Sequence, residues 1–380
     1  MKSNKILLTL CAAILPALAA CGEDDPKAAP ISPTPEAQPE AQPEAQPEAT
    51  PEAQPEATPE AQPEAQPDAE PSPEAEPTPE PAPEPTPEAE PEAEPEAIPM
   101  EEIEVLGGDV SGQWCGQVTL RGSARVPAGQ TLSICAGSSV RVVPDGGARV
   151  ALEVEGALQI NGSRAARVAL TSETSWAGIV VSGRLDAAFI DVSRAERCLR
   201  GQATSEINVS EATFTQCGTS LVLANGGTFD RTTIIGGDSV SIDGGVLRMA
   251  DSTIDFQTNG DVPDCTRWSR GGAVLDHVLF TGCHCPLHFG ATTEEVTVTN
   301  SIFDRATFPI MVANIQGTFS HNHILGGISQ ILDIGGGIDI DIRDNYYGGQ
   351  APDIGTNDMG QFRNADAFLA EPVTDVGPRD

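Results

Sequence analysis

The sequence has little lysine and few aromatic residues. Lys27 is the last lysine of the 380 residues, and aromatic residues make up 4% of the chain. Helical periodicity, in which apolar residues recur every three or four positions, is nearly absent, and this excludes leucine-rich and helical repeat folds. We therefore expect an all-β protein whose core is built mainly from aliphatic side chains.

Acidic residues dominate the charge of the chain. The formal net charge is −35, and residues 98–380 alone contain 18 arginines and 34 acidic residues, a net charge of −16. Such a surface repels nucleic acid and anionic lipid headgroups. The composition therefore predicts no nucleic-acid partner, and it allows a polyuronate ligand only where cations bridge the two.

The N-terminus has the pattern of an export signal. Basic Lys2 and Lys5 precede an apolar run over residues 6–20, which ends in Leu18-Ala19-Ala20-Cys21. The run is too short for a membrane-spanning helix and lacks a stop-transfer flank. It resembles a bacterial lipoprotein signal with its lipobox, which implies cleavage before Cys21 and a lipid on the Cys21 sulfur. An ordinary secretory signal with a chance cysteine is the alternative.

The resemblance to a lipoprotein signal also bears on where the protein is sorted. Gly22, and not aspartate, follows the cysteine. In the Gram-negative sorting pattern this favours the outer membrane. We therefore expect a protein of the bacterial cell envelope whose membrane partner is reached through its N-terminal lipid.

A proline-rich segment follows the signal. Residues 35–97 consist almost wholly of Pro, Glu, Ala, Gln and Thr, with 19 acidic residues and no basic one. Such a segment cannot bury enough apolar surface to offset its ordering entropy, and its prolines favour an extended polyproline II stalk that reaches on the order of 100–200 Å. The predicted organisation is a signal peptide at 1–20, a disordered acidic linker at 21–99 and a β domain at 100–380.

One short pattern recurs through the β domain. An aliphatic residue is followed two places later by a polar residue and three places after that by a bulky apolar residue. The separations between bulky positions run from 19 to 26 residues. A unit of about 22 residues cannot bury its own apolar face, so copies of it must stack as a solenoid. The eight bulky positions are Ile190, Phe214, Ile235, Ile254, Phe280, Phe303, Leu325 and Tyr347.

The middle position of each copy is polar in seven of eight cases. Because it lies between two apolar positions five apart, which cannot share one face of a straight strand, we expect a bend there. A polar column at a repeated bend would satisfy backbone groups that leave the strand ladder. The predicted column is Ala187, Glu211, Thr232, Asp251, His277, Asn300, Asn322 and Asp344.

Three segments resemble right-handed parallel β-helix proteins of the pectate-lyase type. They are residues 114–142, the run Ser175-Trp176-Ala177-Gly178-Ile179, and the closing run Asp344-Asn345-Tyr346-Tyr347-Gly348-Gly349. The resemblance implies a solenoid of roughly ten coils, a rod about 50 Å long at about 4.8 Å per strand. We expect the residues before Gly112 to cover one open end, and a short amphipathic turn or helix at 362–369 to cover the other.

Seven cysteines remain after Cys11 in the signal and Cys21 at the lipid site. Three pairs lie about one coil apart, and in an exported domain we expect them to form disulfides. The predicted pairs are Cys115–Cys135, Cys198–Cys217 and Cys265–Cys283, with Cys285 left over or serving as the alternative partner of Cys265.

The resemblance to parallel β-helix proteins raises the possibility of an enzyme, and the enzymes of that fold cleave acidic polysaccharides. Lyases need calcium held by carboxylates beside a basic residue, and hydrolases use clustered carboxylates. The Asn-Thr-Asp, Asp-Asp, Gly-His-Gly and Arg-Ile-Lys signatures of pectin hydrolases are absent from residues 100–380. We predict no cofactor, and calcium enters only under the lyase alternative.

All five histidines fall between His277 and His323. The sequence allows two interpretations of them, an acid/base pair or part of a hydrogen-bonding column. If the protein is an enzyme, its candidate catalytic residues are Asp251, Asp276, His277, His321 and His323.

Two further groups of residues have alternative interpretations. Cys283-His284-Cys285 with His288 resembles a metal cluster, but alignment with Cys217 favours a disulfide plus a spare thiol, so we predict no metal site. Trp268 between Arg267 and Arg270 would stack on a sugar ring if exposed, and would cover the coil beneath if buried.

These features support three functional hypotheses. The leading one is a non-catalytic envelope lipoprotein that presents a β-helix for binding a glycan or another surface component. The second is a membrane-tethered polysaccharide lyase or glycoside hydrolase. The third is a structural spacer without a ligand site.

Overall fold

The computed structural model describes residues 102–144, 149–256, 264–290, 294–326, 330–355 and 361–379. They form an all-β parallel solenoid of about ten coils, which confirms the predicted fold class. Each coil runs through three strands, one on each of three faces, and every strand pairs in parallel with the equivalent strand of the next coil. The predicted signal peptide (1–20) and the whole predicted linker (21–99) lie outside the described residues, which begin at residue 102.

The strands are grouped here by the face on which they lie, and β20 and β22 each pass from face 1 to face 2. Face 1 consists of β2 (Gly108–Asp109), β5 (Ala124–Val126), β8 (Ala151–Val154), β11 (Gly178–Val181), β14 (Arg197–Gly201), β17 (Thr219–Leu223), the first halves of β20 (Val240–Ala250) and β22 (Thr266–Asp276), β24 (Leu287–Phe289), β27 (Ile310–Val312), β30 (Ile331–Asp333) and β32 (Ile354–Gly355).

Face 2 consists of β3 (Gly112–Trp114), β6 (Thr131–Cys135), β9 (Ala157–Asn161), β12 (Arg184–Ala188), β15 (Glu206–Ser210), β18 (Gly226–Asp230), the second halves of β20 and β22, β25 (Val296–Thr299), β28 (Gln316–Ser320), β31 (Asp339–Asp341) and β33 (Gln361–Arg363). Face 3 consists of β1 (Glu102–Val105), β4 (Gln117–Leu120), β7 (Ser139–Val142), β10 (Val168–Ser172), β13 (Ile190–Ser193), β16 (Thr213–Thr215), β19 (Thr233–Ile235), β21 (Thr253–Asp255), β23 (Leu279–Thr281), β26 (Ile302–Asp304) and β29 (His323–Ile324).

The core is a set of stacked columns of inward-facing side chains. Because side chains alternate along a strand, one residue of each short face 3 strand points inward and is buried. Phe280 and Phe303 stack in neighbouring coils with ring centroids 5.1 Å apart. The face 3 column is Val118, Val140, Leu170, Val192, Phe214, Ile234, Ile254, Phe280, Phe303 and Ile324.

Of the eight predicted bulky positions, four lie in this column and Tyr347 is buried in register with Ile324 one coil later, whereas three are wrong. Ile190 lies two residues before the column residue Val192, whereas Ile235 and Leu325 each lie one residue after it. The errors have a common cause, since two adjacent or alternate aliphatic residues fit the sequence pattern equally well. Only strand pairing decides which of them faces inward.

The predicted bend between faces 2 and 3 is present, and its residues adopt the left-handed region. Their φ values lie between 44° and 58°. Glu211, Asp251, His277, Asn300 and Asp344 were placed correctly, but Ala187, Thr232 and Asn322 were not. The bend residues are Phe189, Glu211, Arg231, Asp251, His277, Asn300, His321 and Asp344.

The residue after each bend points inward, and in several coils it is a buried polar residue. Asn322 accepts a hydrogen bond from the Ser301 main-chain N–H at 2.9 Å and donates to the Val298 carbonyl at 2.9 Å. Asn345 accepts in the same way from the Asn322 N–H at 3.0 Å. We call this set the bend ladder. It satisfies main-chain groups at the bend, a role that was predicted for the bend residues themselves. Its polar members are Thr232, Ser252, Ser301, Asn322 and Asn345.

The two ends of the solenoid differ from the prediction. Among the described residues before Gly112, 102–105 and 108–109 form β1 and β2, which pair with the next coil and so belong to the first coil. At the other end, β33 continues the ladder of face 2, and a turn then leads to Leu369, which bridges to Tyr346. Residues 362–369 therefore extend the last coil without forming a helix.

The predicted cysteine pairs are confirmed as pairs at disulfide distance. The Cα atoms of Cys115–Cys135, Cys198–Cys217 and Cys265–Cys283 lie 4.9, 5.6 and 5.5 Å apart. Each bond joins one coil to the next, as the spacing of 18 to 20 residues indicates. Cys285 is the free, buried cysteine among the described residues.

Candidate functional site

The candidate acid/base residues lie along the corner between faces 2 and 3. Asp276 ends β22 and His277 is the next residue, so the bend itself positions the pair. The Asp276 carboxylate accepts a hydrogen bond from Nδ1 of His277 at 2.8 Å. Thr299 and Asn300 of the following coil also donate to it, each at 2.8 Å. Burial raises the pKa of Asp276, but these hydrogen bonds outweigh burial and lower the pKa.

Of the three other candidate residues, Asp251 lies near this pair, whereas His321 and His323 lie farther along the solenoid. Asp251 lies one coil before His277, where Arg379 holds its carboxylate and lowers its pKa. His321 and His323 lie two coils after His277. The His321 side chain is exposed, whereas His323 packs against Tyr346 with ring centroids 5.2 Å apart, and burial lowers its pKa. The corner therefore brings together Asp251, Asp276 and His277, and leaves His321 and His323 apart from them.

Trp268, for which the sequence left both an exposed and a buried position open, is buried. Trp268 is 1% exposed, stacks on Phe289 with ring centroids 4.3 Å apart, and donates from its indole N–H to the Gly272 carbonyl at 3.3 Å. The physical reason is that Trp268 takes an inward position in β22. Trp268 is therefore a core residue, and its indole does not face a sugar ring at the surface.

The two arginines beside Trp268 form ion pairs on the outer surface. Arg267 pairs with Asp264 at 2.9 Å, and Arg270 pairs with Asp243 at 3.3 Å. Residues 258–263, the first part of the loop that was expected to carry this site, lie outside the described residues. The described part of the loop offers no exposed aromatic surface to a sugar ring.

The Cys–His segment forms a compact polar cluster around Asp264. His288 Nδ1 lies 2.7 Å from the Asp264 carboxylate, and the thiol of Cys285 also hydrogen-bonds to that carboxylate. Cys283 is held in its disulfide, and His284 packs edge-on against Phe308. Burial raises the pKa of Cys285. Among the described residues, no group of three or more His, Cys, Asp or Glu side chains could hold a metal ion.

One groove on the described surface was not anticipated from the sequence. It has a volume of about 500 Å³ and lies on the outside of β8, β11 and β14. We call it the face 1 groove, and it is lined by charged side chains of both signs together with small residues. The charged residues are Arg149, Glu153, Glu155, Glu196, Arg197 and Arg200.

Ion pairs neutralise part of the face 1 groove. Arg149 pairs with Glu196, and Glu155 lies 3.7 Å from Arg125. Arg197 and Arg200 are both exposed, and their side chains have no ion-pair or hydrogen-bond partner among the described residues. Two guanidinium groups thus point into the groove with their donors available.

A second groove continues the first around the corner between faces 3 and 1. Its volume is about 420 Å³, and Glu196 and Arg197 line both grooves. Arg194 lies at its floor and donates to the Gln216 side chain at 2.9 Å. The two grooves therefore adjoin at Glu196 and Arg197. No sequence signal marks the face 1 groove, because residues such as Glu153 and Arg200, which lie on either side of Val180, are brought to one surface only when strands pair.

No protein-family model, curated protein or solved structure matches the chain. Within the described ranges, no helix has the length and apolar character that crossing a bilayer requires.

The Asp264 cluster generates a prediction for stability at low pH. Burial raises the pKa of Asp264, but the hydrogen bond and charge of His288 and further hydrogen bonds outweigh burial, so the pKa falls to about 2. A carboxyl group whose pKa is lower in the folded state stabilises the protein above its unfolded pKa, and this stabilisation is lost as pH falls through the folded pKa. We expect Asp264 to contribute about 2 kcal/mol that disappears between roughly pH 4 and pH 2.

The measurement is the unfolding free energy from urea titrations between pH 5 and pH 2. In Asp264→Asn the decrease over this range should be smaller than in the wild type by about 2 kcal/mol. The control Asp243→Asn removes an exposed carboxylate and should keep the wild-type decrease. Equal decreases in the wild type and in Asp264→Asn would contradict the assignment.

Proposed function

We propose that the protein is a lipid-anchored envelope protein whose solenoid binds a neutral or zwitterionic glycan in the face 1 groove. The observation that carries the proposal is the pair Arg197 and Arg200, whose guanidinium groups line an open groove without a protein partner among the described residues. In a molecule with a net charge of −35, arginines that are left unpaired are available for a ligand.

The groove has the chemistry that a hydroxyl-rich ligand requires. Guanidinium groups donate hydrogen bonds in a planar fork, and carboxylates such as Glu153 accept hydrogen bonds from hydroxyl groups. The small side chains Ala151, Ala177 and Val180 leave room for a ring to lie against the sheet. A groove about 500 Å³ in volume falls within the size range of small-ligand sites.

The charge balance favours a neutral glycan over a polyanion. Three arginines and three glutamates line the face 1 groove, so its formal charge is zero. The surrounding domain is strongly acidic and repels polyuronates and other polyanions at a distance. The ligand is therefore a glycan that carries hydroxyl groups and little net charge.

The lyase or hydrolase alternative depends on the Asp276–His277 pair. That pair resembles an acid/base dyad, because a carboxylate orients the imidazole. The chain's own C-terminal residues lie over it, however, and Asp375 approaches the free ring nitrogen of His277 at 3.6 Å. The face 1 groove is open, so binding there is the function that the geometry supports best.

Removing the two unpaired arginines should abolish most of the glycan affinity. We expect Arg197→Ala combined with Arg200→Ala to raise the Kd for the best-retained neutral polysaccharide by roughly 100-fold or more, because each charged hydrogen bond contributes about 1.5–3 kcal/mol and two are lost. The measurement is affinity electrophoresis and calorimetry on a panel of neutral and acidic polysaccharides, with and without calcium.

Arg248→Ala is the matched control, since it removes an exposed arginine from face 2 and should leave binding unchanged. Retention that is the same in the double variant and in the wild type would rule out the groove as the site. Retention of no polysaccharide by the wild-type protein would instead support the spacer hypothesis. Turnover of a polymer that is lost in His277→Ala would support the enzyme alternative.

The lipid anchor is tested independently of the ligand. We expect the wild-type protein to sediment with the outer membrane and Cys21→Ser to remain soluble, because several acyl chains anchor a protein far more firmly than one. Cys11→Ser changes a cysteine inside the predicted signal and should leave the anchoring intact. Membrane retention of Cys21→Ser would refute lipidation at this residue.

A further inference from the structure

The last described residues of the chain return along the corner that carries the acid/base candidates. Leu369 bridges to Tyr346 in the last coils, the Gly377 N–H donates to the Asn300 carbonyl at 2.7 Å, and Arg379 reaches Asp251. Residues 370–379, which we call the C-terminal strap, therefore pass back over the bends of four successive coils. They end beside a residue that precedes them by 128 positions.

An arginine–carboxylate pair holds the free end of the strap. Arg379 Nε donates to one oxygen of Asp251 at 2.7 Å, and a terminal guanidinium nitrogen donates to the other at 3.0 Å. The Arg379 main-chain N–H adds a contact to Asp251 at 3.3 Å, and the guanidinium lies 3.8 Å from Asp276. A bidentate pair of this kind is both strong and geometrically specific.

The middle of the strap lies close against the solenoid. Gly377 has a φ of 79°, and a Cβ added there would lie 2.8 Å from Cδ1 of Ile302. The left-handed backbone favours glycine at this position. The strap is thus fitted to the corner and is not merely lying near it.

The strap covers an imidazole that has an unused nitrogen. His277 is 4% exposed, and its Nε2 atom has no hydrogen-bond partner among the described residues. The ionised Asp276 carboxylate can only accept a hydrogen bond, so Nδ1 carries the proton and Nε2 of the neutral ring keeps its lone pair. Burying such a nitrogen without a partner is costly, and buried groups of this kind commonly have a functional role.

We propose that the C-terminal strap is an autoinhibitory contact that closes a groove over the Asp276–His277 pair, with Arg379 on Asp251 as its clasp. When the strap is released, Nε2 of His277 becomes available as a base or nucleophile. A ligand that opens the groove must take the place of the Arg379 guanidinium on Asp251. The chemical class of that ligand is therefore the class of the strap itself, an extended peptide with a basic side chain. This inference does not depend on glycan binding in the face 1 groove.

The test is the reactivity of His277 towards diethyl pyrocarbonate in the full exported chain. In this reaction Nε2 attacks a carbonyl carbon of the reagent, the carbethoxy group is transferred to the ring, and ethyl carbonate leaves and decomposes to ethanol and carbon dioxide. Mass spectrometry gives the rate at each histidine. Exposed His321 provides an internal reference in the same molecule.

We expect His277 to react at least roughly tenfold more slowly than His321 in the wild type, and Arg379→Ala to raise the His277 rate by roughly tenfold. Asp251→Asn breaks the same clasp from the other side and should give the same increase, with melting temperature and circular dichroism showing that the fold persists. Arg305→Ala, which removes an exposed arginine paired with Asp304, is the control and should change nothing.

A synthetic peptide tests the ligand class. Added to the Arg379→Ala protein, a peptide of residues 372–379 should restore protection of His277, and the same peptide with alanine in place of its arginine should not. Three results would overturn the proposal: a wild-type His277 that reacts as fast as His321, an unchanged rate in both clasp variants, or protection by the two peptides alike.

Discussion

Stacking of each coil on its neighbours is the constraint on which the whole structure depends. A coil of about 22 residues closes around an inner face that it cannot bury alone, and its main-chain groups find their partners in the coils above and below. The bend between faces 2 and 3 is where this requirement is most demanding. Eight bend residues, none of them glycine, adopt the left-handed region, which costs roughly 1–2 kcal/mol each for an L-residue.

The bend ladder offsets this cost. At each bend the main chain leaves the strand, and a buried N–H without a partner would cost about 1–3 kcal/mol. Serine and asparagine side chains such as Ser301 and Asn322 accept from the N–H of the preceding coil, so the ladder joins coil to coil where the strands do not. The bend position itself then favours residues that tolerate left-handed geometry, and Asp251, His277 and Asn300 are of this type. The same rule that builds the solenoid thus places acid and base groups on its corner.

The sequence predicts those features that recur at the coil period. The solenoid, the three cysteine pairs and five of the eight bend residues follow from spacing, and the resemblance to parallel β-helix proteins adds the arrangement of the strands. The sequence cannot predict features that depend on the register between coils or on contacts far apart in the chain. The inward position of Trp268, the neighbours of Arg200 in the face 1 groove, and the contact of Arg379 with Asp251 all belong to this second class. Adjacent aliphatic residues, as at Ile234 and Ile235, also leave the register undecided until strands are paired.

Coil insertion tests this account most directly. Thr228 pairs with Arg248, so residues 228–247 make one complete coil, free of cysteine. Duplicating this coil keeps every downstream residue on its ladder, and the account predicts a folded protein whose unfolding free energy is at least that of the wild type. Duplicating residues 228–237 alone shifts the corner by half a turn and should abolish cooperative unfolding in urea. Unfolding of the whole-coil variant, or equal tolerance of both insertions, would contradict the claim that coil register holds the molecule together.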